Sequence, residues 1–230
     1  MKGIAYFSGP LAGIGLMSSM LRHGKLDEAE SVVETLRLLG VEDFVPNSKC
    51  KTIVDIGCGP GALTLTFAGL LKAKEVIAVD GSRDMLDFTE KLFHDFRMKY
   101  NFGCSLKTII SNLEHDPIAV ESSIANAAFC MATTLYMKYL DNLISEVARI
   151  LRPRGYLYID AIVHELASTE PILNPIDDVE CFFHSKKTIE YAMAENGFEI
   201  LSVGVTEGVR LRQSTTSALL KDQKYVIRKK

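Results

Sequence analysis

Apolar residues run along this chain in two alternating rhythms. Short strand-like runs, most of their residues apolar, occupy residues 52–56, 75–79, 107–110, 125–131 and 155–162. Between or after them, in stretches 61–72, 84–98, 139–150 and 186–196, the pattern is that of helices. A continuous run of strand length is what a strand buried on both faces presents, while a three- and four-residue spacing is the stripe of an amphipathic helix. Their alternation predicts βα units, a parallel sheet and right-handed crossovers. Two further runs, 198–205 and 224–228, complete a sheet of seven strands. The fold class read from the pattern is α/β, a doubly wound, mostly parallel sheet.

The N-terminal part differs. Leu26, Ala29, Val32, Val33, Leu36 and Leu39 form one helical stripe, with Asp27, Glu28 and Glu30 in its first turn and Gly40 as its stop. Two units are expected: a helical segment over 1–45 that packs on or caps the site, and the sheet domain over 46–230. Residues 3–21 are mildly apolar but broken by Gly9, Pro10, Gly13 and Gly15, with only Lys2 ahead of them, so no secretory leader is expected. No run approaches the ~18 apolar residues of a membrane span.

Composition narrows the chemistry. A net charge of −3 speaks against a protein held mainly by phosphate contacts, so a nucleic-acid partner is not expected. The five cysteines, at 50, 58, 104, 130 and 181, form no C-x-x-C pair or Cys/His cluster, so no metal site is expected and a reducing cytoplasm is the simplest location.

The first strand runs straight into Asp55-Ile56-Gly57-Cys58-Gly59-Pro60-Gly61-Ala62. Glycine lets a ligand lie on the peptide groups, and the helix that follows offers free N–H donors and a partial positive charge. Gly57, Gly59 and Ala62 satisfy the dinucleotide fingerprint, and Asp80 ends the next apolar run where a ribose-binding acid belongs. On these residues alone an NAD site competes.

Asp55-x-Gly57-x-Gly59-x-Gly61 resembles the first motif of the class I S-adenosylmethionine (SAM)-dependent methyltransferases. Val76–Ser82 is similar to that family's second strand and ribose acid, 151–159 to its L-x-P-G-G-x-L motif, and Ala194–Phe198 to its A-x-x-G-F turn. The likeness covers about residues 40–205 and implies a Rossmann-like sheet whose last strand is antiparallel. It also implies SAM as cofactor. Asp55, Gly57, Cys58, Gly59 and Gly61 would line its methionine half, Asp80 and Gly81 the ribose, and Met131 would lie beneath the methionine. Met85 would pack on adenine, or serve simply as core. Asn112 stands where the family often has an Asp accepting from adenine N6, with Glu114 and Asp116 as alternatives, and Leu113 N–H would face adenine N1. Asn126 is a second position where the family often has Asp.

The acceptor is harder to read, because methyl transfer from a sulfonium depends mainly on alignment. The [DNS]-P-P-[YFW] motif of nucleobase amino-methyltransferases is replaced by Met131-Ala132-Thr133-Thr134 after the fourth strand. No Pro-Cys nucleophile and no Asp-rich metal loop are present there. His164 and His184 are the residues expected to serve as general base, if one is used. The reading is a SAM-dependent methyltransferase of a small-molecule nucleophile that releases S-adenosylhomocysteine (SAH). Its rivals are a non-catalytic SAM-binding partner protein, an NAD-dependent oxidoreductase, and an RNA or protein methyltransferase. Oligomeric state stays open, a homodimer included.

Overall fold

The computed structural model describes residues 52–164, 167, 172–176, 179–207 and 220–230; the expected segment over 1–45 and its boundary lie outside them. The described elements run β1 Thr52–Ile56, α1 Ala62–Leu70, β2 Glu75–Asp80, α2 Arg83–Tyr100, β3 Ser105–Ile110 and β4 Ala125–Cys130. A short 3-10 turn, Thr134–Tyr136, precedes α3 Asp141–Ile150 and β5 Leu151–His164. Then come β6 Ile172–Ile176, β7 Val179–Phe183, α4 Lys186–Glu195, β8 Phe198–Glu207 and β9 Leu220–Lys229.

Seven strands form one sheet in the order β3-β2-β1-β4-β5-β9-β8. The pairs from β3 across to β5 are parallel, and β9 is antiparallel to both β5 and β8. Only the last strand is reversed, as expected. Strand order turns back between β1 and β4, which opens a crevice beyond their C-terminal ends.

Successive side chains on the central strands β1, β2, β4 and β5 go to opposite faces, and both faces are largely buried there, whereas the edge strand β3 is largely exposed. One layer joins Val54, Ile77, Ala128, Leu157 and Ile159 to Leu143 and Val147 of α3 and Ile189 and Met193 of α4. The other joins Ile53, Val76, Phe129 and Tyr158 to Leu63 and Phe67 of α1 and Phe93 of α2. The Phe67 and Phe129 rings stack with centroids 3.9 Å apart, fixing α1 over β4. Burial on both sides is why these strands read as continuous apolar runs.

Two features depart from the sequence expectation. β5 is 14 residues long, beginning directly after α3 and outrunning β4. β4 ends opposite Ile159, and β5 continues to His164 with β9 beside it throughout. β6 and β7 form a separate antiparallel hairpin that the apolar pattern did not signal. Pro175 lies within β6, and both strands of a two-stranded hairpin are edge strands, where proline is tolerated. Val163 of β5 bridges His184, just past β7, so this hairpin joins the projecting end of β5.

Candidate functional site

The glycine turn lies at the crevice. Gly57, Gly59 and Gly61 adopt φ of +70°, +53° and +82°, the left-handed region that favours glycine. Gly57 and Cys58 N–H groups both donate to the Val79 carbonyl at 2.8 and 3.0 Å, tying the turn to the end of β2. Space is as restrictive as conformation. A Cβ on Gly57 would lie 2.2 Å from Thr133 Oγ1, and one on Gly61 2.7 Å from the Thr89 side chain. Thr89 Oγ1, on α2, donates to the Gly59 carbonyl at 2.9 Å. The Cys58 thiol is buried, and burial with the nearby Asp80 and Asp55 charges holds it well above the ordinary thiol range. A contribution of Cys58 to a ligand therefore comes through its backbone.

Two carboxyls flank this turn. Asp55, 4% exposed, accepts from Thr64 Oγ1 at 2.6 Å. Burial pushes its pKa up to about 7, the Thr64 bond opposes the rise, and the Asp80 charge adds to it. Asp80 Oδ2 accepts from Gly59 N–H at 2.9 Å and Oδ1 from Ser82 N–H at 2.8 Å. Burial raises its pKa too, against the lowering effect of the Ser82, Gly59 and Gly81 backbone bonds. Asp80 is not the cap of α2: Ser82 is, accepting from Met85 N–H at 3.4 Å. Each Asp80 oxygen keeps a lone pair beyond these bonds, which suits a vicinal diol.

The loop after β3 separates the three residues weighed for the adenine. Asp116 Oδ2 accepts from Asn112 N–H at 3.2 Å. Glu114 Oε1 accepts from the N–H groups of Lys138 and Tyr139, the latter at 2.9 Å. Both acids thus brace backbone. Asn112 Oδ1 accepts from Glu114 N–H at 3.2 Å and retains a second acceptor site. Leu113 is buried, and its carbonyl accepts from Asn142 Nδ2 at 3.0 Å. Met85 is 1% exposed, within the buried interior of α2. Asn126 belongs elsewhere: it lies at the N-terminal end of β4, where Oδ1 accepts from Thr52 N–H at 3.1 Å. Its lack of charge has no bearing on the crevice.

Beyond β4 the chain turns sharply. Met131 is buried, and Ala132 takes φ of +55°. Ala132 N–H donates to Asp160 Oδ1 on β5 at 2.6 Å. Thr133 Oγ1 lies 3.2 Å from the Ile56 carbonyl, and Thr134 Oγ1 donates to the Asp160 carbonyl at 3.0 Å. His164 and His184 meet through backbone, His164 N–H donating to the His184 carbonyl at 3.1 Å. Both are buried, at 6% and 3% exposed. His184 Nε2 donates to the Met137 carbonyl at 2.9 Å, and burial lowers its pKa, so the ring is neutral at physiological pH. Cys181 and Phe183 pack with Leu135, Tyr136 and Ile162 into a small apolar group beside this turn.

The structure therefore gathers Asp55, the glycines, Cys58, Asp80, Gly81, Asn112 and Met131 along one edge, with both histidines at the β5 and β7 ends. Sequence reasoning passed over Thr64, Thr89, Thr133 and Asp160. Only Asp160 carried a signal, as the one acid inside the run 155–162. Among the described residues no group of three or more His, Cys, Asp or Glu is placed to hold a metal, and no helix is long and apolar enough to cross a membrane.

Comparison with known proteins agrees with this geometry. A model of the methyltransferase domain matches residues 54–159. The ribosomal RNA small subunit methyltransferase A of Ehrlichia chaffeensis is 31% identical over 104 residues, 44% of this chain and 38% of that protein. The probable cobalt-precorrin-6B C(15)-methyltransferase (decarboxylating) of Methanococcus vannielii is 36% identical over 95 residues, 39% of this chain and 49% of that one. The chain thus spans less than half the length of each of these two relatives. Among solved structures, geranyl diphosphate C-methyltransferase from Streptomyces coelicolor A3(2), in complex with Mg2+, geranyl diphosphate and SAH, is similar. It superposes with a TM-score of 0.63 at 17% identity, over 87% of this chain and 77% of that one.

Proposed function

We propose that this chain, whose residues 54–159 match a methyltransferase domain, is a class I SAM-dependent methyltransferase that transfers a methyl group from SAM to a small-molecule nucleophile and releases SAH. The observation that carries this reading is the left-handed glycine turn with the Asp80 carboxylate bonded directly to it, at 2.9 Å from Gly59 N. SAM would supply an electrophilic methyl: the nucleophile's lone pair would form the new bond to carbon, and the pair of the breaking carbon–sulfur bond would stay on sulfur, giving SAH. Asp80 accepts the ribose hydroxyls, Gly57–Gly61 backbone faces the methionine half, and Asn112 with Leu113 N–H meets the adenine edge. Asp55 sits where an ammonium group favours its ionised form. Met131 lies beneath the methionine, and Met85 backs the adenosine end from α2.

For the acceptor, His164 is the proton acceptor we propose for a hydroxyl or ammonium nucleophile. His184, held neutral by burial and tied to Met137, fixes the 3-10 turn against β7. The apolar group of Leu135, Tyr136, Ile162, Cys181 and Phe183 supports an organic acceptor of modest size. The likeness to the ribosomal RNA enzyme favours an RNA acceptor as the second reading, against which stands Met131–Thr134 in place of the nucleobase motif. Cys58, Cys104, Cys130 and Cys181 are free and buried, which supports a cytoplasmic location.

The test is turnover of methyl-tritiated SAM with a panel of small hydroxyl, amine and carbon nucleophiles beside total RNA. Label transferred to a small molecule, with SAH formed in equal amount, is the expected result. Label transferred only to RNA would replace this acceptor class, and none at all would leave the non-catalytic SAM-binding reading in its place.

A further inference from the structure

Ala132 is a non-glycine residue in the left-handed region, at the point where β4 ends and the acceptor side begins. An L-residue with a Cβ is strained there, and such strain persists only where the surroundings enforce it. Three side-chain bonds converge on this turn. Asp160 Oδ1 accepts from Ala132 N–H at 2.6 Å. Thr133 Oγ1 reaches the Ile56 carbonyl at 3.2 Å, in the space that the missing Gly57 Cβ leaves. Thr134 Oγ1 donates to the Asp160 carbonyl at 3.0 Å, so one residue of β5 anchors the turn through both side chain and backbone. Asp160 is itself 4% exposed, whereas Ala132 is exposed.

We infer that Asp160 is a positioning residue for methyl transfer: its carboxylate holds the strained Ala132 turn that shapes the wall between the cofactor's methionine half and the acceptor. The inference rests on the SAM-dependent reading above. Asp160 does not touch the reacting atoms; it acts through Ala132. The short bond from a carboxylate to a backbone N–H belongs to the stronger, charge-assisted class. It favours the one conformation that alanine otherwise resists. Glycine at 132 would adopt that conformation without Asp160, and this separates positioning from simple packing.

The experiment is a cycle of wild type, Asp160→Ala, Ala132→Gly and the double variant, with Asp160→Asn beside it. Affinity for SAM and SAH is read by calorimetry, and unfolding midpoint is read without ligand. Wild-type binding of SAM checks the underlying reading independently of the variants. Asp160→Ala is expected to weaken SAM binding by about tenfold, the scale of one charge-assisted hydrogen bond. The double variant is expected to regain most of that loss relative to Ala132→Gly. Asp160→Asn, whose amide oxygen still accepts from Ala132 N–H, is expected to retain more affinity than Asp160→Ala and guards against failure of the alanine variant to fold. Asp160→Ala binding within twofold of wild type would overturn the inference. So would a double variant as weak as Asp160→Ala, because Asp160 would then be acting other than through the turn.

Discussion

Replacing Asp80 by alanine removes a carboxylate held by backbone N–H groups of the turn and of the start of α2. In the free protein it takes Gly59 N–H at 2.9 Å and Ser82 N–H at 2.8 Å, so it braces the glycine turn as well as facing the crevice. Loss of the ribose contact should weaken SAM binding by about 1.5–3 kcal/mol, the range for hydrogen bonds to a charged group. That corresponds to roughly 10- to 150-fold in dissociation constant. The Gly59 and Ser82 N–H groups, with that of Gly81, also lose this partner, but Asp80 is destabilised by its own burial, which raises its pKa. The second effect offsets part of the first, so the stability loss should be smaller than the broken bonds alone imply. The ribose is common to SAM and SAH, so both should weaken by the same factor and their ratio should hold. Calorimetric titration of Asp80→Ala with each ligand, alongside its unfolding midpoint, reads all three quantities. Affinity within twofold of wild type in a folded variant would refute the ribose assignment. A loss confined to one of the two ligands would place Asp80 near sulfur instead.

Further consequences follow from individual residues. Asp55 has a folded pKa of about 7, above its ordinary value, so its folded-state stability is complete at low pH and is lost as pH rises toward 7. Urea unfolding of the ligand-free protein from pH 4 to 7 should show that fall and Asp55→Asn should flatten it; an unchanged slope would contradict the buried assignment. Bound SAM should favour ionised Asp55, so binding near pH 7 should release protons, measurable as a buffer-dependent binding enthalpy that Asp55→Asn removes. Arg154 is exposed with φ of +63°, where the resembled motif has glycine, so Arg154→Gly should stabilise by up to about 1 kcal/mol, raising the midpoint by about 2–4 °C; a lower midpoint would show that Arg154 makes a compensating contact. Cys58 and Cys130 are buried, and burial with neighbouring carboxylates raises both thiols; native protein at pH 8 should alkylate at these positions far more slowly than unfolded protein, and equal rates by mass spectrometry would refute their burial.

The parts of the site that were legible in the sequence are local in the chain. Asp55 through Gly61 and Asp80 are fixed by spacing along one β-turn-α unit and the strand after it, and the structure puts them where the spacing does. The parts that were not legible are contacts between distant segments. Thr133 fills the space left by Gly57, 76 residues away, and Asp160 holds Ala132 across a strand pair. Neither contact leaves a pattern in sequence, since a threonine or a buried acid acquires its partner only when the sheet order is known. Asn126 shows the converse: a polar residue on β4 invited a functional reading, yet the strand places it at the far end from the crevice. The β6–β7 hairpin was missed because Pro175 masks strand propensity, and the N-terminal stripe lies outside the described residues.

The measurement that tests the central claim most directly is calorimetric titration of the wild-type protein with SAM and SAH, with NAD in parallel. One-to-one binding of SAM and SAH, and none of NAD, is the predicted result. Binding of NAD alone, or of neither SAM nor SAH, would contradict the account, because the glycine turn and Asp80 would then serve another ligand or none.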